Sequence, residues 1–248
     1  MGRLTDAIKH LLIINVLLFV ATMLYGEQMY EWFSLWFPKN ENFGFWQMVS
    51  HMLMQGGLAH IGFNMYALWA FGTPLERMWG RNKFLFFYFS AGLGAAFIHT
   101  GVNYYYFNEG INALINSGLA ENEIIEIVSG GQYSPSWYDI APKSTIDNFL
   151  SAYNTPAVGA SGAIYGILVA FGMSYPNSEL FLIFLPIPIK AKIFIPVLIA
   201  LDLFSGVTGY GIFGQGIAHF AHVGGAIAGF IMMWYWKKNQ FNNNRWDL

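Results

Sequence analysis

The sequence predicts an all-α, polytopic membrane protein built as a six-transmembrane-helix bundle, and three observations predict it. Of 248 residues, 55% are hydrophobic and only 10% are charged, whereas an ordinary soluble domain carries about 25% charged residues. The apolar residues gather into six stretches, at about 8–25, 50–72, 84–107, 157–175, 191–209 and 216–236. Each approaches the roughly 20 residues that a helix needs to cross a hydrocarbon core about 30 Å thick. The basic residues, finally, are sorted between alternate connections. Six spans place Arg3, Lys9, Arg77, Arg81, Lys83, Lys190, Lys192, Lys237, Lys238 and Arg245 on one side, leaving Lys39 and Lys143 with most of the acidic residues on the other. The positive-inside rule then predicts a multi-pass protein with both termini cytoplasmic, as in a bacterial plasma (inner) membrane.

The first span continues past Tyr25 into Gly26-Glu27 without a small-residue cleavage site, so it is expected to be a retained helix and not a signal peptide. The following loop, about 26–49, holds Trp32, Phe33, Trp36, Phe37, Phe43, Phe45 and Trp46. Such amphipathic rings favour the membrane interface over open water. Span two carries His51, His60 and Asn64, and is followed by Gly72-Thr73-Pro74-Leu75-Glu76-Arg77, expected to organise the turn into span three. Residues 108–156 read as an acidic extracytoplasmic insertion, with an amphipathic helix near 111–129 that places Ile111, Leu114, Ile115 and Leu119 on one side. Between spans four and five, Pro186 and Pro188 oppose a continuous helix in Leu180–Lys192, which fits a cytoplasmic interfacial segment. The whole chain, 1–248, reads as a single domain with its core at about 50–236.

A net charge of -2 gives no basis for a nucleic-acid partner, and zero cysteines exclude disulfides, thiol catalysis and cysteine-ligated metals. Polar groups inside membrane spans are expensive and mark function. Two stand out: Ser161 within Gly159-Ala160-Ser161-Gly162-Ala163-Ile164-Tyr165-Gly166, and His222 within Ala221-His222-Val223-Gly224-Gly225. A nucleophile and a base in separate spans point to chemistry within the bilayer. Gly162 and Gly166, and Gly225 and Gly229, form small-xxx-small pairs that let two helices approach closely, and the same approach brings Ser161 toward His222. His60 and Asn64, at i and i+4, share a helical face; they suit either a developing oxyanion or an interhelical polar clamp. Tyr165 reads either as a ring packed on His222 or as a core aromatic. No second histidine stands at i+4 with an adjacent glutamate, so a zinc-protease motif is absent, although His219 and His222, at i and i+3, could share a metal. No metal and no cofactor are expected.

Taken together, the His60-x-x-x-Asn64 pair, the Gly159-x-Ser161-Gly162 sequence and the Ala221-His222-x-x-Gly225-x-x-x-Gly229 sequence, in that order, resemble the rhomboid family of intramembrane serine proteases. The resemblance implies a Ser-His dyad in a water-filled cavity open to the outer side, with Ser161 as nucleophile and His222 as general base. It assigns the oxyanion site to His60, Asn64 and the Ser161 backbone amide, and a supporting role to Tyr165, Gly159, Gly162, Gly225 and Gly229. Its implied partners are transmembrane protein substrates within the lipid bilayer. Catalytically inactive relatives that bind membrane clients usually lack the serine or the histidine, and this chain keeps both. Gln55 stands where some relatives have a histidine, and Trp46-Gln47 where many have Trp-Arg. Asp202, the acidic residue nearest in depth, is not expected to orient His222, so Asp202→Asn is expected to leave activity intact.

Overall fold

The computed structural model describes residues 4–182, 185–211 and 218–243, with side chains described outside 181–187 and 240–243. Arg3 and Arg245, two of the basic residues used for the topology, and the first residues of the 216–236 span lie outside the described residues. The chain is helical nearly throughout. Helix α1 (Asp6–Tyr25) leads through α2 (Glu27–Phe33) and α3 (Gln47–Ser50) to α4 (Leu58–Ala67). One π turn, Leu68–Gly72, carries α4 into α5 (Thr73–Trp79). Helix α6 (Arg81–Asn116) is followed by α7 (Glu121–Ser129), α8 (Trp137–Ile140) and α9 (Lys143–Asn154). Helix α10 (Ser161–Ser174), strands β1 (Glu179–Leu182) and β2 (Leu185–Lys190), α11 (Ala191–Thr208) and α12 (His219–Asn243) complete the order.

Among the described residues, α1, α6 and α11 are each long and apolar enough to cross a membrane. Helix α10 is apolar but has only 14 residues, about 21 Å of rise against a core of roughly 30 Å. Residues Gly162 to Phe171 are buried without exception, as expected of a helix that is apolar all round. A 14-residue helix enclosed by its neighbours is shorter than the core it would cross, and Ser161 stands at its first position.

The structure corrects two expectations, for span two and for the helix over 111–129, and adds detail to two others. Span two is not continuous from 50 to 72: α3 and a tight turn at His51–Leu53 end in extended backbone at Met54, and α4 starts only at Leu58, after Gly56-Gly57. The helix expected over 111–129 is two helices, because Gly118 adopts φ +100, a left-handed conformation that breaks a helix and favours glycine. The segment after α10 is an antiparallel hairpin, pairing Glu179 with Lys190 and Leu182 with Leu185. Glu76 does more than organise a turn. Its carboxylate accepts the backbone N–H groups of Ala7 (2.7 Å) and Ile8 (3.0 Å), satisfying first-turn donors of α1 that have no intrahelical acceptor.

The aromatic first loop is held from inside by Gln47, which is fully buried. Its amide donates to the carbonyls of Asn42 (2.7 Å) and Glu31 (3.0 Å) and accepts the N–H of Trp36 (3.2 Å). Phe45 and Trp46 are left 85% and 61% exposed, a placement suited to lipid or interface. Behind the loop, α7, α8 and α9 close on the last turns of α6 around Phe107, Leu114, Trp137, Ile146 and Phe149.

Candidate active site

Three helices start at one end of the bundle, and each contributes a polar side chain from its first turn. Ser161 is the first residue of α10, His60 the third of α4 and His222 the fourth of α12. The start of α10 is fixed by the backbone before it. Leu35 and Ala157 exchange both N–H···O bonds at 2.9 Å, and the Gly159 N–H donates to the His51 carbonyl at 2.9 Å. Gly159 itself has φ +127, and an added Cβ there would lie 2.8 Å from His60 Cε1, 2.9 Å from His60 Nε2 and 3.4 Å from Ser161 Oγ. The missing side chain leaves a small space faced by His60 and Ser161 together. Residue 159 can only be glycine, on both conformational and steric grounds.

Depth and approach are set by the seam between α10 and α12. A Cβ on Gly225 would fall 1.8 Å from the Gly162 carbonyl oxygen, and one on Gly229 would fall 2.6 Å from Gly166 Cα. Backbones touch there, so His222 Nε2 reaches Ser161 Oγ at 2.8 Å. The Tyr165 ring stacks on the His222 ring, with centroids 4.2 Å apart and planes 11° apart.

Asp202 of α11, expected to be a bystander, also belongs to this group. Its Oδ1 lies 3.2 Å from His222 Nδ1 and 2.6 Å from His219 Nδ1, while its Oδ2 accepts the Tyr165 hydroxyl. An ionised carboxylate only accepts, so the Nδ1 of His222 carries a proton and the Nε2 lone pair faces Ser161. His60 has the opposite tautomer for an equally local reason. Its Nδ1 accepts the Gly56 N–H at 3.0 Å, which leaves the proton on Nε2, facing the space beside Ser161. One histidine is set up as an acceptor and the other as a donor.

Asn64 shares the His60 face, but its amide is drawn to Gln55. Asn64 Nδ2 donates to Gln55 Oε1 (2.8 Å), Gln55 Nε2 donates to Asn15 Oδ1 (2.8 Å), and Asn15 Nδ2 donates to the Leu11 carbonyl (2.8 Å). This buried chain ties α4 to α1 through Gln55. Gln55 is therefore a structural junction.

A family model for the Rhomboid domain matches residues 42–119 and 141–239, more than half of the chain. The chain belongs to the rhomboid family. The unmatched stretch between the two segments holds α7 and α8, which with α9 form a cap on the last turns of α6. Among individual rhomboids, the chain is 26% identical over 179 residues to Rhomboid protein 1, mitochondrial, of Saccharomyces cerevisiae, covering 72% of this chain and 38% of that protein. It is 26% identical to Rhomboid protease GluP of Bacillus subtilis, covering 75% and 25% respectively. It is 29% identical to Rhomboid protease AarA of Providencia stuartii, covering 74% and 53%. This rhomboid chain thus matches a quarter to about half the length of these relatives. It is an integral membrane protein of a family that includes serine proteases.

Sequence reasoning named Asp202 as the acidic residue nearest in depth but set it aside as a partner of His222, which the structure corrects. The available signal was that Asp202 is the one acidic residue between 191 and 209, and a carboxylate within a span calls for a partner.

Proposed function

We propose that this chain is an intramembrane serine endopeptidase that hydrolyses peptide bonds in or near transmembrane segments of other membrane proteins. The observation that carries the reading is the 2.8 Å contact of His222 Nε2 with Ser161 Oγ, with the far ring nitrogen of His222 held by Asp202. In this mechanism His222 takes the hydroxyl proton as Oγ attacks the scissile carbonyl carbon. The carbonyl oxygen becomes an oxyanion, stabilised by the Ser161 N–H, free of an intrahelical acceptor at the first position of α10, by His60 Nε2–H and by the second Nδ2–H of Asn64, the one not given to Gln55. The imidazolium then protonates the leaving amine, giving an acyl-enzyme. Water, deprotonated by the same nitrogen, resolves it. Asp202 acts as a positioning residue that fixes the tautomer of His222 and steadies its positive charge, with Tyr165 holding both the ring face and the carboxylate.

A helical substrate hides its amide carbonyls in internal hydrogen bonds. Access to Ser161 therefore favours segments weakened by Gly or Pro near the cut. The unit is read as one rhomboid domain over 1–248, its outer cap an insertion and not a second domain. The charge asymmetry supports a multi-pass orientation in a bacterial plasma (inner) membrane, in which the ends of α1 and α12 bearing Lys9 and Lys237 face the cytoplasm.

The test is cleavage of a transmembrane substrate carrying Gly or Pro near its outer end, by purified protein in detergent and in vesicles. Wild type is expected to cut, and Ser161→Ala and His222→Ala to be inactive with unchanged melting behaviour. Wild type that binds several such substrates and cuts none would replace this reading with client binding. Asp202→Asn is expected to lower kcat about 10²-fold with little effect on KM, since it removes the acceptor that fixes the tautomer of the general base. Full activity in Asp202→Asn would remove Asp202 from the mechanism.

A further inference from the structure

We propose that Asp202, His219 and His222 form a binding site for a borderline divalent transition metal, Zn²⁺ being the reference ion, and that its occupation switches the active site off. The proposal rests on the protease reading for its consequence, but not for the binding itself.

One carboxylate serves two histidines here. Nδ1 of His219 and Nδ1 of His222 both converge on Asp202 Oδ1, at 2.6 and 3.2 Å, and the ligand atoms of the three side chains all lie within 4.8 Å of one another. Hydrolysis needs only the second of these contacts. The side chains of His219 and His222 are 11% and 12% exposed, and that of Asp202 1%, so the cluster is sheltered while both histidines keep some accessible surface. Two imidazole nitrogens and one carboxylate oxygen, with the fourth position left to water, are a tetrahedral zinc donor set. Hard cations such as Mg²⁺ and Ca²⁺ prefer oxygen ligands alone. The Tyr165 hydroxyl donates to Oδ2 and so orients the carboxylate, as a metal-ligating carboxylate requires.

The metal takes the place of the two protons that Asp202 now accepts. Each histidine binds it through Nδ1 as a neutral ring, so its proton moves to Nε2 with no net proton released. For His222 this inverts the chemistry. Nε2–H then faces Ser161 as a donor and has no lone pair to receive the hydroxyl proton. The nucleophile stays in place and its base is lost.

The test uses the full chain with Ser161→Ala, purified in detergent without histidine tag or chelator and titrated with Zn²⁺ alone. One equivalent is expected to bind, and adding His219→Ala is expected to weaken binding at least tenfold. His219→Gln provides a second variant should the alanine variant melt earlier than its parent. In parallel, cleavage by wild type is expected to fall with Zn²⁺ and return with a chelator. His219→Gln should need at least tenfold more Zn²⁺ for the same fractional loss from its own zinc-free rate. No binding to the Ser161→Ala protein, equal binding after His219 is replaced, or inhibition equally strong in His219→Gln each overturns the site. A wild type that cuts nothing without metal defeats the protease reading instead, and the binding titration still decides the metal site.

Discussion

The seam between α10 and α12 and the outer cap over α6 are held together by opposite means. At the seam the contacts are backbone on backbone: Gly225 and Gly229 lie against Gly162 and Gly166 so closely that a methyl group has no room. In the cap the contacts are bulk on bulk, with Phe37, Phe107, Trp137, Phe149 and Tyr153 filling one cluster and ring centroids 4.9 to 6.3 Å apart among several of them. The difference reflects the solvent around each. Within lipid the hydrophobic effect gives helices no reason to associate, so close packing and hydrogen bonds must do it. The cap is amphipathic, with acidic α7 facing outward, and can rely on burial from water. The comparison teaches that a site needing sub-ångström placement sits on the seam that has no side chains to give way.

The largest effect should come from emptying the cap. Phe149→Ala, which removes a ring in contact with Phe107 and Trp137, is expected to cost the cap about 3–5 kcal/mol. Hydrogen exchange in α7 and α9 should speed up while amides of α10 stay protected and cleavage remains within a few-fold of wild type. Faster exchange in α10 would show that the two regions are one cooperative unit.

Filling the seam is the converse change. Gly225→Ala must push α12 away from Gly162 and is expected to cost about 1–3 kcal/mol in melting experiments. Activity should drop further, about 10²-fold, because His222 is displaced from Ser161 by a sizeable part of an ångström. Gly101→Ala, where an added Cβ meets nothing within 4 Å, should be neutral or slightly stabilising. A similar outcome for both glycines would break the comparison.

Smaller effects sharpen it. Gln55→Leu leaves Asn15 and Asn64 with buried unpaired groups and is expected to destabilise by about 1–3 kcal/mol, measured by melting. At the outer surface of the cap, Lys143 lies 2.5 Å from Asp147 and holds its carboxyl below the usual carboxylate range. A lowered folded value means that this contribution is present above the carboxyl's unfolded value and lost as pH falls through the folded one. Because the pair is open to water, Asp147→Asn is expected to give no resolvable change in melting temperature at neutral pH. A clear shift there would mean that the cap relies on charge as well as on bulk.

The sequence by itself determined the membrane class, the approximate positions of most spans and the rhomboid resemblance, and it singled out Ser161 and His222 as candidates. Apolar length, charge bias and the spacing of glycine, serine and histidine are all local, so they can be read along the chain. Only the tertiary structure decided which groups share a hydrogen bond. That Asp202 meets His219, His222 and Tyr165, that Glu76 accepts the first-turn amides of α1, and that Gln55 joins Asn15 to Asn64 depends on partners from 9 to 69 residues apart. The interruption of span two and the continuation of α6 as far as Asn116 were equally hidden, because an apolar run does not mark where its helix starts or stops. Periodicity fixes which face a residue shares, whereas depth, rotation and the choice among buried polar partners are fixed only when the helices pack.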